Sequence, residues 1–305
     1  MMMPQTQLDR TKKAGLVGCG RVGFLFDEDP KRTGIWTHAK AYDTHVGIKF
    51  VGVYDTNENL AKQCSAKYNT TAYSSIAILL EKQLDILSVA TPPETHHQII
   101  AQAIDADVPP AIIWVEKPFG GCYEIAQNLV DAAAQRNIKI HVDFQRRHCM
   151  AFGYVKSFGK PQHVSVVYTR GLLNTAVHFI DMMLGLFGNP CRVVAIDATD
   201  FVMIYDNFNV TFNMVSPQYN ICEVILVYND KIVRVPPIIN ALFIKNMIES
   251  VQYGEYNDLG DEVSCAFPYN PMLLQIDAMI YGGELNDGLA TLAIVQALDS
   301  NIKQI

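Results

Sequence analysis

Three spaced glycines that interrupt a short apolar run constrain the fold of this chain more than any other feature. The run leads into Gly18-x-Gly20-x-x-Gly23, the pattern of a strand that passes through a tight turn into a helix. In such a turn the first glycine permits the bend, the second lets the backbone approach an anion, and the third lets helix and strand pack closely. The pattern favours a dinucleotide pyrophosphate site over an ordinary strand–turn–helix. The predicted site residues are Gly18, Gly20, Arg21, Val22 and Gly23.

The carboxylate at the end of the second apolar strand indicates which dinucleotide binds. Residues 49–54 are mostly apolar and end on Asp55. A carboxylate there suits the two ribose hydroxyls of an adenosine and repels the 2′-phosphate of NADP. No Arg or Lys follows before Lys62. The sequence therefore favours NAD(H), with NADP(H) as the alternative.

The spacing between the glycines and Asp55 is longer than the roughly 20 residues that are typical of this fingerprint. The excess falls in 24–42, a polar segment that contains Gly and Pro and has no periodicity. We interpret it as an inserted loop near the cofactor. Trp36 and His38 in this loop either contact the ligands, or Trp36 packs the loop onto itself.

The first half of the chain alternates strand and helix patterns. Segments of this kind, with helices of 10 to 15 residues between strands, indicate a doubly wound parallel sheet with ligands at the strand C-termini. The predicted helices are Asn57–Tyr68 and Tyr123–Arg136, and the further strands are Ile76–Leu80, Ile86–Val89, Ile112–Val115 and Lys139–Val142.

Two segments at this predicted edge carry polar groups. Thr91-Pro92-Pro93-Glu94-Thr95-His96 follows one strand and opens a helix, and Glu116-Lys117-Pro118 ends another. Burying a Glu–Lys pair costs free energy unless it is partnered. One interpretation is a salt bridge at a strand end. The other places Lys117 beside the nicotinamide, donating to a substrate oxygen.

Composition excludes several classes of partner. The 305 residues are 50% apolar and 18% charged with a net charge of −7, so we expect neither nucleic acid nor an anionic membrane as partner. The seven cysteines form no CxxC pair and have no His cluster beside them, so no metal site is predicted. The N-terminus lacks the apolar core of a signal peptide, and no apolar stretch approaches the ~20 residues that span a bilayer. We expect a cytoplasmic protein.

The second half has a different architecture. Phe208–Met214 alternates apolar and polar residues, as a strand with one buried face does. Asn229-Asp230 separates two further strands and suits a hairpin turn. The boundary therefore falls near Arg146–Ala151, which predicts domains at 1–147 and 148–305. Additional strands are expected at His163–Tyr168 and Val193–Ile196, and a packing helix at about Asp287–Ser300.

Taken together, these motifs resemble those of the Gfo/Idh/MocA oxidoreductases, the glucose-fructose oxidoreductase and inositol dehydrogenase family. The resemblance rests on ordered motifs across most of the chain. They are Gly18-x-Gly20-x-x-Gly23, Asp55, Thr91-Pro92-x-x-x-His96, Glu116-Lys117-Pro118, Gln145-Arg146-Arg147 and the segment Asn174–Asp181. It implies an N-terminal Rossmann domain and a C-terminal α/β domain. The latter is built on a large, open, mostly antiparallel sheet that commonly mediates homodimers or homotetramers. It also implies that Thr91, Pro92, His96, Glu116 and Lys117 contribute to the cofactor site.

The resemblance implies hydride transfer between a nicotinamide and a sugar or cyclitol carbon. His178 is then the general acid or base, and Lys117 stabilises alkoxide character on the substrate oxygen. The family usually has an Asp four residues before this His, on the same helix face. Here that position is Asn174, which can hydrogen-bond a hydroxyl but cannot carry a proton. Asp181, one turn beyond, is an alternative partner for His178.

Other interpretations stay open. Arg146 and Arg147 either bind a phosphate or carboxylate of the substrate, as in a nucleotide-linked or phosphorylated sugar, or have a structural role. The loss of the acid at Asn174 favours a dinucleotide-binding regulator with little or no turnover, whereas the presence of Lys117 and His178 favours the sugar-type oxidoreductase. A reductase of a non-sugar ketone or a linear tetrapyrrole is a third option. Weaker site candidates are His97, His141, His148 and Tyr168.

Overall fold

The computed structural model describes residues 11–236, 240–251, 257–268 and 270–302. The N-terminal decapeptide, for which the sequence predicts no signal peptide, lies outside these residues. The chain divides into two compact units. The first comprises Met1–Gln145 with Asn270–Leu289, and the second comprises Arg146–Tyr269 with Ala290–Ile305.

The first unit is a six-stranded sheet with helices between the strands. Its strands are β1 (Lys12–Val17), β2 (Ile48–Tyr54), β3 (Thr71–Ala72), β4 (Ile86–Val89), β5 (Ile112–Val115) and β6 (Lys139–Val142). Its helices are α1 (His38–Thr44), α2 (Glu58–Lys67), α3 (Ile76–Leu80), α4 (Pro93–Ile104), α5 (Tyr123–Gln135) and α8 (Pro271–Tyr281).

The strand order confirms the predicted Rossmann sheet. The strands lie in the order β3-β2-β1-β4-β5-β6, and every neighbouring pair is parallel. All six C-terminal ends therefore lie along one edge, where such sheets bind ligands. Buried four-residue strands such as β4 and β5 have no exposed face, as expected of strands covered on both sides.

One predicted strand is wrong. Ile76–Leu80 forms α3, and the third strand is the two-residue β3 just before it. A run of five apolar residues has neither a period of two nor a period of 3.6, so the pattern does not distinguish strand from helix. Ser75 caps the helix by accepting a hydrogen bond from the backbone N–H of Ile78 at 3.3 Å, which is a typical N-cap contact.

The segment around α8 extends the first unit beyond the predicted domain 1–147. The sequence assigns residues 270–289 to the second domain, whereas the structure places them with the first unit. Met272, Ile276 and Met279 of α8 are buried against Ala14 of β1 and Trp114 of β5 in one hydrophobic cluster. This burial of apolar side chains across the sheet, which sequence proximity does not indicate, holds the segment there.

The second unit contains a nine-stranded, mostly antiparallel sheet, as the resemblance implies. The sheet order is β14-β13-β12-β11-β7-β10-β9-β8, with β15 paired to β13 and with β7 and β10 paired in parallel. The strands are β7 (His163–Tyr168), β8 (Arg192–Ala195), β9 (Phe201–Ile204), β10 (Asn209–Met214), β11 (Cys222–Val227), β12 (Lys231–Val235), β13 (Ala241–Glu249), β14 (Asn257–Leu259) and β15 (Val263–Ala266). The helices are α6 (Met150–Ser157), α7 (Val177–Phe187) and α9 (Leu289–Ile302).

The alternating residues of this sheet bury one face. In β7 and β11 every second residue is buried, and β11 and β12 form the predicted antiparallel hairpin. Phe201 and Phe212 stack with ring centroids 4.3 Å apart on adjacent strands β9 and β10. Among the described helices, none has the length and apolarity needed to cross a lipid bilayer.

Candidate functional site

The glycine turn after β1 leaves open backbone where an anion would approach. Gly18 has a φ of +97°, in the left-handed region that glycine tolerates. A Cβ at Gly23 would lie 2.0 Å from the carbonyl oxygen of Gly18, whereas a Cβ at Gly20 would meet no atom within 4 Å. Gly23 is therefore required by internal packing, whereas the backbone at Gly20 faces open space. Arg21 is exposed and Val22 half-buried between them.

The segment that follows the turn is an insertion within a helix. The backbone N–H of His38 donates to Val22 O at 3.1 Å, and that of Ala39 donates to Gly23 O at 3.0 Å. Residues 26 and 27 would make these bonds in an uninterrupted α-helix, so twelve extra residues loop out before α1. Without them, Asp55 follows the glycines at the usual spacing of about 20 residues.

The inserted loop packs onto itself and onto α1. The buried carboxylate of Asp27 accepts from the backbone N–H of Trp36 at 3.1 Å and from the hydroxyl of Thr37 at 2.7 Å. The indole N–H of Trp36 donates to Thr33 O at 2.7 Å. These contacts correspond to the alternative in which Trp36 packs its own loop, and they place His38 in α1 rather than in the loop.

Asp55 lies against the glycine turn. Its Oδ2 accepts from the backbone N–H of Cys19 at 2.6 Å, and its Oδ1 accepts from that of Asn57 at 2.7 Å. The half-buried carboxylate is thus held beside the first glycine by two backbone donors. The turn and this carboxylate together fit a dinucleotide, with open backbone at Gly20 for its pyrophosphate and an acceptor for its ribose hydroxyls.

His96 joins two turns at the same sheet edge. It is completely buried in α4. Its Nε2 lies 2.8 Å from Thr91 O and its Nδ1 lies 3.1 Å from Pro118 O. Burial lowers the pKa of His96, and a neutral ring carries a single N–H, which donates to only one of the two carbonyls. The side chain positions the turns at Thr91-Pro92 and at Lys117-Pro118, whose peptide bond is cis.

Glu116, the residue before Lys117, belongs to a buried cluster that the sequence patterns did not predict. His38 Nε2 lies 3.4 Å from Glu116 Oε1 and 4.0 Å from Asp143 Oδ2. His38 and Asp143 are 0% and 2% exposed. One ligand atom from each lies within 4.8 Å of the others, close enough to hold a metal ion, although no metal site is predicted. The available signal was that Glu116 and Asp143 each follow a buried strand, so both carboxyls reach the same edge.

Burial controls the charge of this cluster. It lowers the pKa of His38 to about 4 and raises the pKa of Glu116. Burial and the neighbouring Glu116 raise the pKa of Asp143 to about 8. Low-dielectric surroundings disfavour every charged form, so His38 is neutral at pH 7 and the ionisation of both carboxyls is disfavoured.

Hydrogen bonds with residues of α1, β4, β6 and α8 hold the cluster in place. His38 Nδ1 lies 2.9 Å from Ser88 Oγ, which lies 2.6 Å from the hydroxyl of Tyr42. On the other side Gln275 of α8 donates to Asp143 Oδ1 at 2.7 Å. The Oε1 of Gln275 lies 3.0 Å from His141 Nε2. His141 therefore belongs to this network in the first unit.

In the second unit, Asn174 and His178 lie on one continuous helical segment. Asn174 is exposed in a π-helical turn, Leu172–Ala176, and His178 is half-buried in the first turn of α7. Gly171, with a φ of +78°, precedes the turn. Single π-helical turns are rare and frequent at functional sites.

Asp181 of α7 binds Arg147 and Thr291. The completely buried Asp181 accepts from Arg147 Nε at 2.7 Å and from the Thr291 hydroxyl at 3.1 Å. The guanidinium of Arg146 lies 4.5 Å from the ring centroid of Phe179. Both arginines thus make structural contacts within the second unit, which is one of the two roles considered for them.

Comparison with known proteins matches residues 12–144 to the model of the GFO_IDH_MocA family, described as an oxidoreductase family with an NAD-binding Rossmann fold. The UDP-N-acetylglucosamine 3-dehydrogenase of Acidithiobacillus ferrooxidans is 27% identical over 154 residues, 50% of this chain and 44% of that protein. The inositol 2-dehydrogenase of Rhizobium meliloti is 26% identical over 160 residues, 52% of this chain and 44% of that protein. The chain thus aligns with somewhat less than half the length of these two relatives.

Solved structures share the fold over nearly the whole chain. That of the Acidithiobacillus ferrooxidans dehydrogenase has a TM-score of 0.71 at 20% identity and covers 96% of this chain and 97% of its own. An oxidoreductase from Agrobacterium radiobacter, in complex with NAD+, L-tartaric acid and magnesium, has a TM-score of 0.71 at 15% identity, with 96% coverage of both chains.

Proposed function

We propose that this protein is an NAD(H)-dependent oxidoreductase, because its residues 12–144 match the model of the GFO_IDH_MocA family of oxidoreductases with an NAD-binding Rossmann fold. Its substrate is a sugar, a cyclitol or a nucleotide-linked sugar with a carbinol or ketone carbon. The observation that carries the proposal is the glycine turn, where open backbone at Gly20 lies next to a carboxylate, Asp55, held by the backbone of the same turn.

The first unit would hold the dinucleotide. The turn residues Gly18 to Gly23 receive the pyrophosphate, and Asp55 accepts hydrogen bonds from the ribose hydroxyls. The negative charge of Asp55 also disfavours the 2′-phosphate of NADP(H). Thr91 and Pro92, held by His96, border the same edge of the sheet. When bound, the nicotinamide supplies the hydride acceptor or donor.

Lys117 and His178 would carry the proton chemistry. The ammonium of Lys117 donates a hydrogen bond to the substrate oxygen and stabilises its alkoxide character. His178 removes the hydroxyl proton at an imidazole nitrogen in the oxidation and returns it in the reduction. Asn174 hydrogen-bonds a neighbouring hydroxyl of the substrate through its amide. The names of the two relatives, which act on UDP-N-acetylglucosamine and inositol, support the substrate class.

Asn174 favours one second candidate, a dinucleotide-binding regulator of the same fold with little or no turnover. An amide cannot replace an acid in proton transfer or balance an imidazolium charge. In this alternative the protein binds NADH and responds to it through protein contacts. The homodimeric or homotetrameric state and the cytoplasmic location stay predictions.

The proposal is tested by titrating the purified protein with NADH and following the fluorescence. The titration is made with and without sugars, cyclitols and nucleotide sugars. If the protein is an enzyme, it binds NADH, its NADH fluorescence changes with one class of ligand, and it converts that ligand to product. Lys117→Met and His178→Ala should then lower kcat/KM by about 10²- to 10⁴-fold with little change in NADH affinity. Tight NADH binding without turnover supports the regulator, and no binding of NADH or NADPH contradicts both candidates.

A further inference from the structure

A cavity of about 450 Å³ lies in the second unit, at the end where the parallel strands β7 and β10 finish. Its walls are the turn at residues 169–171, which follows β7, and the loop at residues 215–220, which connects β10 to β11. Its volume falls within the roughly 300–1,000 Å³ of small-molecule pockets. The cavity therefore has the size of a ligand site.

Hydrogen bonds join the two walls of the cavity. The hydroxyl of Thr169 donates to Ile221 O at 3.2 Å, and Arg170 Nε donates to Asn220 Oδ1 at 2.9 Å. The turn after β7 is thus fixed to the far end of the loop before any ligand is present. Binding to a preformed cavity has a lower cost in ordering the protein than binding to a mobile loop.

Arg170 gives the cavity a positive charge. Among the described residues that line it, Arg170 is the only one with a charged side chain. Asp200, which follows the lining residue Thr199, does not line it. Its carboxylate accepts from the backbone N–H of Met214 at 2.7 Å and from the amide of Asn213 at 3.2 Å. A cationic cavity in a chain with a net charge of −7 indicates an anionic ligand.

The backbone holds Arg170 in a conformation that few side chains adopt. Its φ is +68°, and that of the following Gly171 is +78°. Left-handed residues other than glycine cost free energy and are found preferentially at functional sites. The side chain is exposed, and its two terminal nitrogens make no hydrogen bond with any residue that the structure describes. These nitrogens are available for the bidentate binding of a phosphate.

Tyr219 supplies an aromatic face at the same cavity. It lies in the loop 215–220 and is 67% exposed. Nucleobases stack on exposed aromatic side chains of this kind. Ser216 and Gln218, which also line the cavity, offer a hydroxyl and an amide to the polar edge of a base. A ring and a guanidinium in one cavity suit a nucleotide better than a phosphate or carboxylate alone.

The cavity borders the segment that carries Asn174 and His178. Gly171 lines the cavity, the π-helical turn Leu172–Ala176 begins at the next residue, and α7 follows that turn. Residues three or four apart on a helical segment lie roughly 5–6 Å from each other, so Asn174 lies about one helical turn from the edge of the cavity. In a nucleotide-linked sugar the diphosphate is bonded directly to the sugar. A diphosphate at Arg170 therefore brings the sugar next to this segment.

We propose that this cavity binds the nucleoside diphosphate of a nucleotide-linked sugar, with Arg170 on the phosphates and Tyr219 against the base. The identity of the substrate rests on the proposed function, whereas binding of the nucleoside diphosphate requires no turnover. Arg146 and Arg147, for which the sequence leaves a phosphate-binding role open, contact Phe179 and Asp181 instead.

Calorimetric titration of the full-length protein with UDP tests the site. We expect UDP to bind saturably, and to bind equally well when NADH is present in excess. Uridine and inorganic phosphate should each bind about tenfold more weakly or less, because each makes only part of the contacts. No UDP binding at millimolar concentration would overturn the proposal. Mutually exclusive binding of UDP and NADH would place UDP at the glycine turn and would also overturn it.

Variants of Arg170 test the phosphate contact. Arg170→Asn removes the guanidinium but keeps a residue that tolerates a left-handed backbone. The Kd for UDP should rise about 10- to 100-fold in this variant. It should rise less in Arg170→Lys, because an ammonium keeps the charge without the planar fork. Arg192→Asn, which removes an exposed arginine of β8, two strands away from β10, is the control and should leave the Kd unchanged. Equal Kd values for the wild type and Arg170→Asn would overturn the proposal.

A variant of Tyr219 tests the contact with the base. Tyr219→Ala should raise the Kd for UDP about 5- to 150-fold and leave the Kd for pyrophosphate unchanged. Tyr281→Ala, which removes an exposed tyrosine of the first unit, should change neither value. An unchanged Kd for UDP in Tyr219→Ala, or glucose 1-phosphate that binds as tightly as UDP, would indicate a phosphorylated sugar and overturn the nucleotide assignment.

Parallel titrations with UDP and NADH separate this inference from the proposed function. NADH binding without UDP binding overturns the nucleotide site and leaves the oxidoreductase. UDP binding without NADH binding contradicts the proposed function and supports the site. With a nucleotide sugar as substrate, Arg170→Asn should raise KM by the same factor as the Kd for UDP, with little change in kcat, because its contact is equal in the ground state and the transition state.

Discussion

Adding a single methyl group at either of two glycines separates the folding role of the turn from its binding role. In Gly23→Ala the new Cβ would lie 2.0 Å from Gly18 O and 3.0 Å from Gly18 C. Both atoms belong to the backbone, so no side chain can move aside. In Gly20→Ala the new Cβ meets no atom within 4 Å, and φ lies outside the left-handed region.

The two variants should therefore differ in stability. Ordinary carbon contacts lie near 3.5 Å, so Gly23→Ala must displace the turn by about 1 Å or more. We expect a loss of about 3 kcal/mol or more in the free energy of unfolding. For a domain of this size the Tm falls by about 2–4 °C per kcal/mol. Gly20→Ala should instead stabilise by about 0.4–1 kcal/mol, because alanine reduces the entropy of the unfolded chain.

Binding should show the opposite order of effects. The methyl of Gly20→Ala occupies the space over the turn that the pyrophosphate would use. Overpacking of this kind costs about 1–3 kcal/mol, which corresponds to a Kd for NADH raised about 5- to 150-fold. Calorimetry gives the stabilities and fluorescence titration gives the affinities.

Two results would refute this reasoning. Gly20→Ala that binds NADH as tightly as the wild type would mean that the dinucleotide does not approach this backbone. Gly23→Ala with a wild-type Tm would mean that Gly23 and Gly18 do not pack as closely as the structure indicates.

Three further predictions follow from single contacts. Asp55→Ala should reduce the preference for NADH over NADPH about tenfold, because it removes the charge that repels the 2′-phosphate; equal discrimination in parallel titrations would mean that another residue contacts the ribose. Asp181→Ala should lower the free energy of unfolding by about 3–5 kcal/mol, because it leaves the largely buried Arg147 without its carboxylate; a change below about 1 kcal/mol in urea denaturation would contradict this. The free energy of unfolding should fall by about 2 kcal/mol between pH 6.5 and 8, because folded Asp143, with its pKa near 8, keeps a proton that the unfolded chain has lost. Below pH 6.5 the contribution of His38 to the free energy of unfolding has the opposite sign, because the unfolded chain protonates this ring while the folded ring, with its pKa of about 4, stays neutral. Asp143→Asn should remove the decline above pH 6.5.

Local patterns predicted the elements that local chemistry determines. The glycine turn, the acidic end of β2 and the alternating residues of β10 each depend on a few neighbouring residues, and the structure has all three where they were expected. The run at Ile76–Leu80 shows the limit of such patterns. Its apolar residues suit strand and helix equally, and the cap at Ser75 favours the helix.

Contacts between residues distant in the sequence determined the features that local patterns did not predict. The return of the helix at His38 depends on backbone bonds to Val22 and Gly23 across the whole insertion. The position of α8 in the first unit depends on apolar contacts with Trp114, more than 150 residues earlier.

The sequence by itself determined the Rossmann sheet, the glycine turn and the carboxylate beside it, because strand periodicity and glycine geometry are local properties. Only the tertiary structure decided that His38, Glu116 and Asp143 meet in one buried cluster. Each residue stands at the end of a different element, and their charge states depend on burial that no single segment contains. Low dielectric and mutual proximity arise only when the sheet, α1 and α8 have packed together.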